Sequence, residues 1–169
     1  ILTITGDEEG DAIDGTTALL DHLETAGEAM TDCLVGEPTS PNHMGEAMKI
    51  GRRGSMTAWF TFTGVQGHSA YPHRAKNPLN AMAALVHTLD GHQLDAGTDH
   101  FDPSSLAIVT MDTGNPATNV IPAQSRATVN IRFNDSHTGA SLSSWLQAEV
   151  DQITEAFGVD VEMVIKISG

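Results

Sequence analysis

The stretch MTAWFTFTGV at residues 56–65 opens the pattern that decides the fold, because its threonine and aromatic residues predict a β-strand. The next segment predicts a helix, since Asn77 supplies an N-cap and Pro78 falls in the first helical turn. Apolar residues then recur at helical spacing, at Leu79, Met82, Val86 and Leu89. The fold therefore starts with a strand followed by an amphipathic helix.

The rest of the sequence continues this alternation of strands and helices. Residues 105–112 predict a second strand, and apolar residues alternate along a third at Ala127, Val129, Ile131 and Phe133. A long amphipathic helix is marked by Leu142, Trp145, Leu146, Ile153 and Phe157. A last strand alternates at Val159, Val161, Met163, Ile165 and Ile167. The order β-α-β-β-α-β over residues 56–168 predicts a ferredoxin-like α+β domain, with both helices on one face of a single sheet.

The first part of the chain predicts a different, α/β arrangement. Residues 1–5 alternate as a strand, residues 16–26 predict a helix with Asp14 near its N-cap, and residues 32–36 predict a short buried strand. Cys33 lies in that apolar run, so we expect a buried thiol and a reducing compartment.

These patterns divide the chain into two parts. We expect a partial α/β piece of a catalytic domain over residues 1–51 and a complete ferredoxin-like domain over residues 52–169. The opening residues contain neither a start methionine nor a basic signal-peptide region, so we expect the chain to begin inside a larger protein.

Composition and charge disfavour several classes of partner. The chain has 40% hydrophobic and 18% charged residues, which is typical of a globular protein. Its 22 acidic and 8 basic residues give a net charge of −14, so nucleic acids and anionic membrane surfaces are poor partners. No apolar run approaches the roughly 20 residues that span a bilayer.

Three carboxylates follow predicted strands and are candidate metal-site residues. Glu8 and Glu9 come after the strand over residues 1–5, and Glu37 comes after the strand over residues 32–36. Sites in open α/β sheets form beyond the carboxyl ends of strands, and adjacent carboxylates repel each other unless a cation or proton neutralises them. A solvated acidic turn and a structural loop glutamate explain the same pattern, so these alternatives stay open.

The few basic residues cluster at one place in the sequence. Lys49, Arg52 and Arg53 lie within five positions, which favours an anionic ligand because arginine binds carboxylates through two parallel hydrogen bonds. A surface ion-pair patch is the alternative. Downstream, His68 in GHSAYPH could donate to a developing oxyanion, and Asn119 in TNVIPA could donate or accept through its amide. An exposed loop histidine and a turn-forming asparagine are the simpler interpretations.

Five motifs together resemble the zinc-dependent exopeptidase and deacylase family. They are ITGDEEGDAIDGT, CLVGEPTS, KIGRRGS, VQGHSAYPHRAKNP and GNPATNVIPA, and GRRGS with GHSAYPH points to the desuccinylase branch. The resemblance implies hydrolysis of N-succinyl-L,L-2,6-diaminopimelate, a small anionic amide, in bacterial lysine and cell-wall precursor synthesis. It implies two Zn²⁺ ions in the complete enzyme, for which Co²⁺ can substitute. It also implies a cytoplasmic homodimer.

The resemblance also assigns roles to the metal-site and basic residues. Glu8 matches the general base that takes a proton from the zinc-bound water. Glu9 matches a ligand to one zinc position, and Glu37 matches a ligand to the second. Lys49 and Arg52 match positions near the anionic groups of the substrate, with Arg52 the better candidate for a carboxylate.

The remaining roles fall in the small domain. Ser55, Tyr71 and Arg132 match weaker substrate-contact positions. His68 matches the histidine that stabilises the tetrahedral oxyanion, and in the family it reaches the active site of the partner subunit together with Asn119. The resemblance therefore implies that the small domain is both a lid and a dimerisation module.

The chain departs from the family pattern in its metal ligands. An upstream HxD histidine, a bridging aspartate and a late histidine have no counterpart here, and His43, His73 and His87 match no ligand motif. Since a dizinc site needs more ligands than Glu9 and Glu37, we expect this chain alone to be inactive and to bind zinc weakly or not at all. Two alternatives stay open, namely a dimerisation and lid module only, or a related aminoacylase or peptidase.

Overall fold

The structure, a computed structural model, describes residues 1–6, 14–36 and 39–168. The chain divides into two compact units, Ile1–Met48 and Lys49–Gly169. In the first unit, helix α1 spans Thr16–Thr25. None of the helices in the described ranges is long and apolar enough to cross a membrane.

The second unit is built around a four-stranded antiparallel sheet. Its elements in chain order are β1 (Gly54–Thr63), β2 (Gly67–His68), a short 3₁₀ helix (Pro72–Arg74), α2 (Pro78–Asp90), β3 (Ser105–Asp112), β4 (Val120–Ile121), β5 (Gln124–Phe133), α3 (Gly139–Phe157) and β6 (Asp160–Ser168). The main sheet has the strand order β3-β5-β1-β6, with antiparallel pairing throughout, and β2 pairs separately with β4. Apart from the short β2 and β4, this arrangement confirms the predicted ferredoxin-like fold.

The core lies between one face of the main sheet and the two long helices, α2 and α3. Buried side chains alternate along β1 and β5, because successive side chains of a strand point to opposite faces. The buried apolar strand residues are Met56, Ala58, Phe60, Phe62, Ala127, Val129, Ile131 and Phe133. The helices add Ala81, Met82, Leu85, Leu89, Leu142, Leu146, Val150 and Ile153. The alternation predicted for the third strand is confirmed.

Side-chain caps mark where both long helices begin. The Asn77 side chain accepts a hydrogen bond from the Leu79 backbone N–H at 3.0 Å, and Pro78 follows the cap, as predicted. Helix α3 begins with a capping box, in which the Thr138 and Ser141 side chains each accept a hydrogen bond from the other residue's backbone N–H at 3.0 Å. These bonds satisfy N–H groups that a helix start otherwise leaves without partners.

The helices of this unit leave the second face of the sheet uncovered, and we call it the open face. Trp59 on β1 is 41% exposed and lies directly opposite Thr128 on β5 and Val164 on β6. Thr110 on β3 continues this row, because its hydroxyl donates to the Thr128 hydroxyl at 2.9 Å. The open face therefore combines one large aromatic side chain with threonine and valine neighbours.

Several predictions for the first unit are wrong. The strands predicted over residues 1–5 and 32–36 are not formed, because no described segment pairs with either of them, and an extended segment is stable in a sheet only beside a partner. Cys33, expected to be buried, is exposed because it lies in this unpaired segment. Asp14 does not cap α1, since the N-cap residue is Gly15, which has no side chain to accept a hydrogen bond.

Candidate functional site

Ser55 and Arg132 lie side by side on the open face of the sheet. The register of β1 and β5 makes them direct cross-strand partners, and directly opposite side chains project from the same face. Ser55 is buried, whereas the Arg132 side chain is exposed. The same register places Ser168 of β6 beside Ser55 and Ser105 of β3 beside Arg132. One arginine thus lies in a row with three serines, and we call this the arginine end of the sheet.

Lys49 and Arg52 lie in the exposed segment that leads into β1. Arg52 precedes Ser55 by three residues, so the chain itself keeps it near the arginine end. Within the described ranges, no lysine or arginine nitrogen lies within 4.0 Å of a carboxylate oxygen. The positive charges at this end are therefore not paired with described carboxylates, which suits an anionic ligand.

His68 and Asn119 are brought together by the small β2–β4 sheet. His68 pairs with Val120, the residue after Asn119, and the Ser69 backbone N–H donates to the Asn119 carbonyl oxygen at 2.9 Å. The Tyr71 ring lies 5.9 Å from the His68 ring, measured between centroids. His68, Tyr71 and Asn119 are all exposed, so their polar groups are accessible. We call this group the histidine end of the sheet.

The imidazole of His68 is oriented by its own loop. The Ala70 backbone N–H donates to His68 Nδ1 at 3.0 Å. The Arg74 guanidinium lies over the Tyr71 ring, 5.3 Å from its centroid, in a cation–π contact that orders the neighbouring ring. Since Nδ1 is bonded to the loop backbone, Nε2 is the ring nitrogen of His68 that can face a ligand.

The arginine end and the histidine end are far apart within one copy of the chain. Ser55 lies near the start of β1 and pairs with Arg132, whereas Thr63 ends the strand and pairs with Gln124. The eight-residue advance from Ser55 to Thr63 corresponds to about 27 Å at the usual rise of a strand. His68 and Asn119 lie beyond the Thr63–Gln124 pair, so the two ends cannot contact one small ligand in the same copy.

The predicted metal residues Glu8, Glu9 and Glu37 lie outside the described residues. Within residues 1–6, 14–36 and 39–168, no three His, Cys, Asp or Glu side chains gather in a way that could hold a metal ion. The residues that the structure describes therefore do not fit a dinuclear metal site by themselves. The assignment of the three glutamates stays a prediction.

A polar cluster around Asp95 lies close to the arginine end and was not anticipated from the sequence. Its carboxylate accepts hydrogen bonds from the Gly97 N–H at 2.7 Å, the Ser104 N–H at 3.1 Å and the Asn134 side-chain amide at 2.8 Å. His137 Nε2 lies 3.2 Å from Asp95 Oδ2, but the two do not form a well-oriented hydrogen bond. Asn134 follows Arg132 by two residues, so the cluster anchors the end of β5.

The pKa of the Asp95 carboxyl is held well below its usual range. The main cause is the hydrogen bond from the Ser104 side chain, with further lowering by the Gly97 and Ser104 backbone groups and the Asn134 side chain, while burial opposes them. The only local sequence signal was Asp95 two residues before Gly97, a spacing typical of aspartates that bind their own backbone. The Asn134 partner lies 39 residues away, so no local pattern indicates it.

The comparison with protein families matches the second unit. A family model described as the peptidase dimerisation domain matches residues 50–157. The chain belongs to the peptidase dimerisation domain family. This family is metallopeptidase-like. The predicted identity of the small domain as a peptidase dimerisation module is thereby confirmed.

Relatives of this dimerisation-domain chain extend the match to its full length. It is 72% identical over all 169 residues to "Succinyl-diaminopimelate desuccinylase 1" of Ruegeria sp. strain TM1040. It is also 72% identical over the same length to the succinyl-diaminopimelate desuccinylase of Ruegeria pomeroyi. The chain spans 44% of each of these relatives. The resemblance to the desuccinylase branch is confirmed.

Solved structures share the fold of the dimerisation domain. An amidase of the hydantoinase/carbamoylase family from Burkholderia vietnamiensis matches with a TM-score of 0.58 and 22% identity, over 70% of this chain and 28% of that one. A tripeptidase from Staphylococcus aureus matches with a TM-score of 0.55 and 15% identity, over 68% of this chain and 29% of that one. At these identities the likeness concerns the fold alone.

Proposed function

We propose that this segment is part of an enzyme that hydrolyses N-succinyl-L,L-2,6-diaminopimelate to succinate and L,L-diaminopimelate in the cytoplasm. In that reaction water adds to the amide carbonyl, the carbon–nitrogen bond breaks, and the leaving amine takes a proton. The support is the 72% identity with desuccinylases along all 169 residues. In this proposal residues 1–51 belong to the catalytic domain and residues 52–169 form the lid and dimerisation domain.

Our proposal of a shared active site is supported by one observation: the arginine end and the histidine end lie far apart within one copy of the chain. A small amide substrate is far shorter than β1, so one copy of the chain cannot present both ends to it. In a two-fold dimer, the arginine end of one copy and the histidine end of the other can serve one site. We assign the arginine end to the copy's own site and the histidine end to the partner's site.

At the arginine end, the proposed role is to hold the anionic groups of the substrate. Arg52 and Arg132 can each present a planar guanidinium to a carboxylate, and Lys49 adds a mobile positive charge. The Ser55 hydroxyl lies beside Arg132 and can donate to the same group. This role explains how a chain of net charge −14 could bind an anion, because Lys49, Arg52 and Arg132 bring three of its eight basic residues to this end.

At the histidine end, the proposed role is to stabilise negative charge on the carbonyl oxygen. His68 and Asn119 can both donate hydrogen bonds to the oxygen as it becomes an oxyanion. Tyr71 lies against the His68 ring and is proposed as a substrate contact. Because His68 is part of β2 and Asn119 directly precedes β4, the strand that pairs with β2, the two donors would approach the reacting oxygen as one unit.

The metal chemistry in this proposal belongs to the longer protein. Glu8 is proposed as the general base, with Glu9 and Glu37 as ligands to the two metal positions. Zinc at these positions would polarise the carbonyl and lower the pKa of the attacking water. The described residues supply charge, hydrogen-bond donors and dimerisation.

We propose that two copies pair through strand β3. Among the described strands β3 pairs only with β5, so its outer edge is available. Val109 and Met111 on this strand are 58% and 50% exposed, and the strand has no charged residue before Asp112. The opposite edge strand, β6, carries Asp160, Glu162 and Lys166, and such charges protect a sheet edge from pairing.

The test is complementation between two inactive variants in a chimera, in which these 169 residues replace the matching segment of a full-length relative. Arg132→Ala and His68→Ala should each lower kcat/KM by about 100-fold as homodimers. The heterodimer, purified through a different tag on each subunit, then has one site with both lesions and one intact site. It should recover about half of the wild-type rate.

The matched control is a heterodimer of Arg52→Ala with Arg132→Ala. Both lesions lie at the arginine end, so each site keeps one of them and no recovery is expected. Absence of recovery in the Arg132→Ala/His68→Ala heterodimer would contradict the shared site. Hydrolysis of other acyl amino acids in place of the succinyl substrate would identify a related aminoacylase or peptidase. A dimer with no hydrolysis at all would leave only the lid and dimerisation role.

A further inference from the structure

The hydrogen bond at His68 Nδ1 determines which nitrogen of the ring carries the proton. A backbone N–H can only donate, so the nitrogen that receives the Ala70 N–H at 3.0 Å must present a lone pair. In a neutral imidazole one nitrogen is protonated and the other is not. With Nδ1 as the acceptor, the proton of neutral His68 lies on Nε2.

The loop around His68 holds the Ala70 N–H in place. The Tyr71 N–H donates to the His68 carbonyl oxygen at 2.9 Å, which closes a tight turn over residues 68–71. The Ser69 N–H donates to the Asn119 carbonyl oxygen at 2.9 Å and ties the turn to the strand pairing of His68 with Val120. The Ala70 N–H thus lies inside a turn that two backbone hydrogen bonds, one from Ser69 and one from Tyr71, hold in place.

We propose that the Ala70 backbone N–H is a positioning group that holds neutral His68 as the Nε2–H tautomer. The distal nitrogen then presents a hydrogen-bond donor and has no lone pair in the ring plane, so it can stabilise an oxyanion but cannot act as a base. This inference rests on the proposed function for its purpose, because it specifies how His68 would act at the partner's site. The tautomer itself is a property of this chain.

The experiment is a long-range proton–nitrogen correlation spectrum of the ¹⁵N-labelled 169-residue chain, at a pH where its histidines are neutral. His68 should show a protonated Nε2 and an unprotonated Nδ1. A coupling across the hydrogen bond should link Nδ1 to the Ala70 amide nitrogen. His73, an exposed histidine of the same segment with no hydrogen bond to its ring within the described residues, serves as the control and should show an average of both tautomers.

Two substitutions at one position sharpen the test. Ala70→Pro removes the donor N–H, so His68 should change to the averaged pattern of His73, whereas Ala70→Gly keeps the N–H and should keep the single tautomer. If proline distorts the turn, the amide signals of Ser69 and Asn119 will shift. In that case the test rests on the coupling between His68 Nδ1 and the Ala70 amide nitrogen in the unsubstituted chain. A protonated Nδ1 or an averaged tautomer in the unsubstituted chain would overturn the proposal.

The two proposals fail in different experiments. The tautomer is read without substrate or metal, whereas the shared site is read from recovery of activity in the heterodimer. A single Nε2–H tautomer without recovery would reject the shared site and keep the positioning role of Ala70. Recovery of activity together with an averaged tautomer would keep the shared site and reject the positioning role of Ala70.

Discussion

At the scale of single residues, Asp95 connects segments that are distant in sequence. It joins the loop before β3 to the end of β5 through hydrogen bonds to Ser104 and Asn134. Since a carboxylate is acceptor-only and every partner is a donor, replacing one oxygen by an amide nitrogen would set donor against donor. The orientation of the arginine end therefore depends on the charge of one partly buried carboxylate.

We expect Asp95→Asn to destabilise the second unit by roughly 2–3 kcal/mol at neutral pH, because charge-assisted hydrogen bonds are lost and donors are left without partners. Urea unfolding of the 169-residue chain measures this change. Asp99→Asn, at an exposed position of the same loop, is the control and should change stability by less than about 0.5 kcal/mol. Equal effects of the two substitutions would contradict the role of Asp95.

The same residue predicts how stability depends on pH. Its folded pKa lies below the ordinary value of 3.8, so the folded state binds fewer protons than the unfolded state in acid. The stabilisation is therefore complete above about pH 4–5 and is lost as pH falls below the unfolded pKa toward the folded one. The stability gap between wild type and Asp95→Asn should narrow from pH 5 to pH 3. A gap that is constant or widens over this range would contradict the lowered pKa.

At the scale of elements, the start of α3 depends on its capping box. Thr138→Ala removes the side chain that accepts from the Ser141 N–H, so the free energy of unfolding should fall by about 1 kcal/mol. Thermal unfolding followed by circular dichroism measures the loss. Ser144→Ala, at an exposed position within the same helix, should be neutral or slightly stabilising because alanine favours helices. A neutral Thr138→Ala would show that packing alone sets this helix start.

At the scale of the whole molecule, we expect a charged substitution to weaken the dimer when it lies on edge strand β3 but not when it lies on edge strand β6. Val109→Lys on β3 would bring two like charges together across a two-fold axis, so the dissociation constant of the proposed dimer should rise at least about tenfold. Val164→Lys on β6 is the matched control, since Val164 is 53% exposed and Val109 is 58% exposed. Sedimentation equilibrium measures both variants. Dissociation caused by Val164→Lys alone would assign the interface to β6.

The sequence by itself determined the four long strands and the two long helices of the second unit, and the motifs that identify its family. Alternation along β5, the helical stripe of α2 and the Asn77 cap are local patterns, because they follow from the periods of strand and helix and from hydrogen bonds over a few residues. Such patterns need no knowledge of distant contacts. For the same reason, local patterns predicted strands over residues 1–5 and 32–36 that are not formed. A strand depends on a paired neighbour, and periodicity does not reveal whether one is present.

Only the tertiary structure decided which candidate residues meet. The pairing of β1 with β5 places Ser55 beside Arg132, and the pairing of β2 with β4 places His68 beside Asn119 at the other end of the sheet. These neighbours are 77 and 51 residues apart in sequence (132 − 55 and 119 − 68), so strand register alone determines their contact. The distance between the arginine end and the histidine end, which requires two copies for one site, is likewise a property of the folded sheet. The residues of the two ends alternate along the sequence, and only the length of β1 separates them in space.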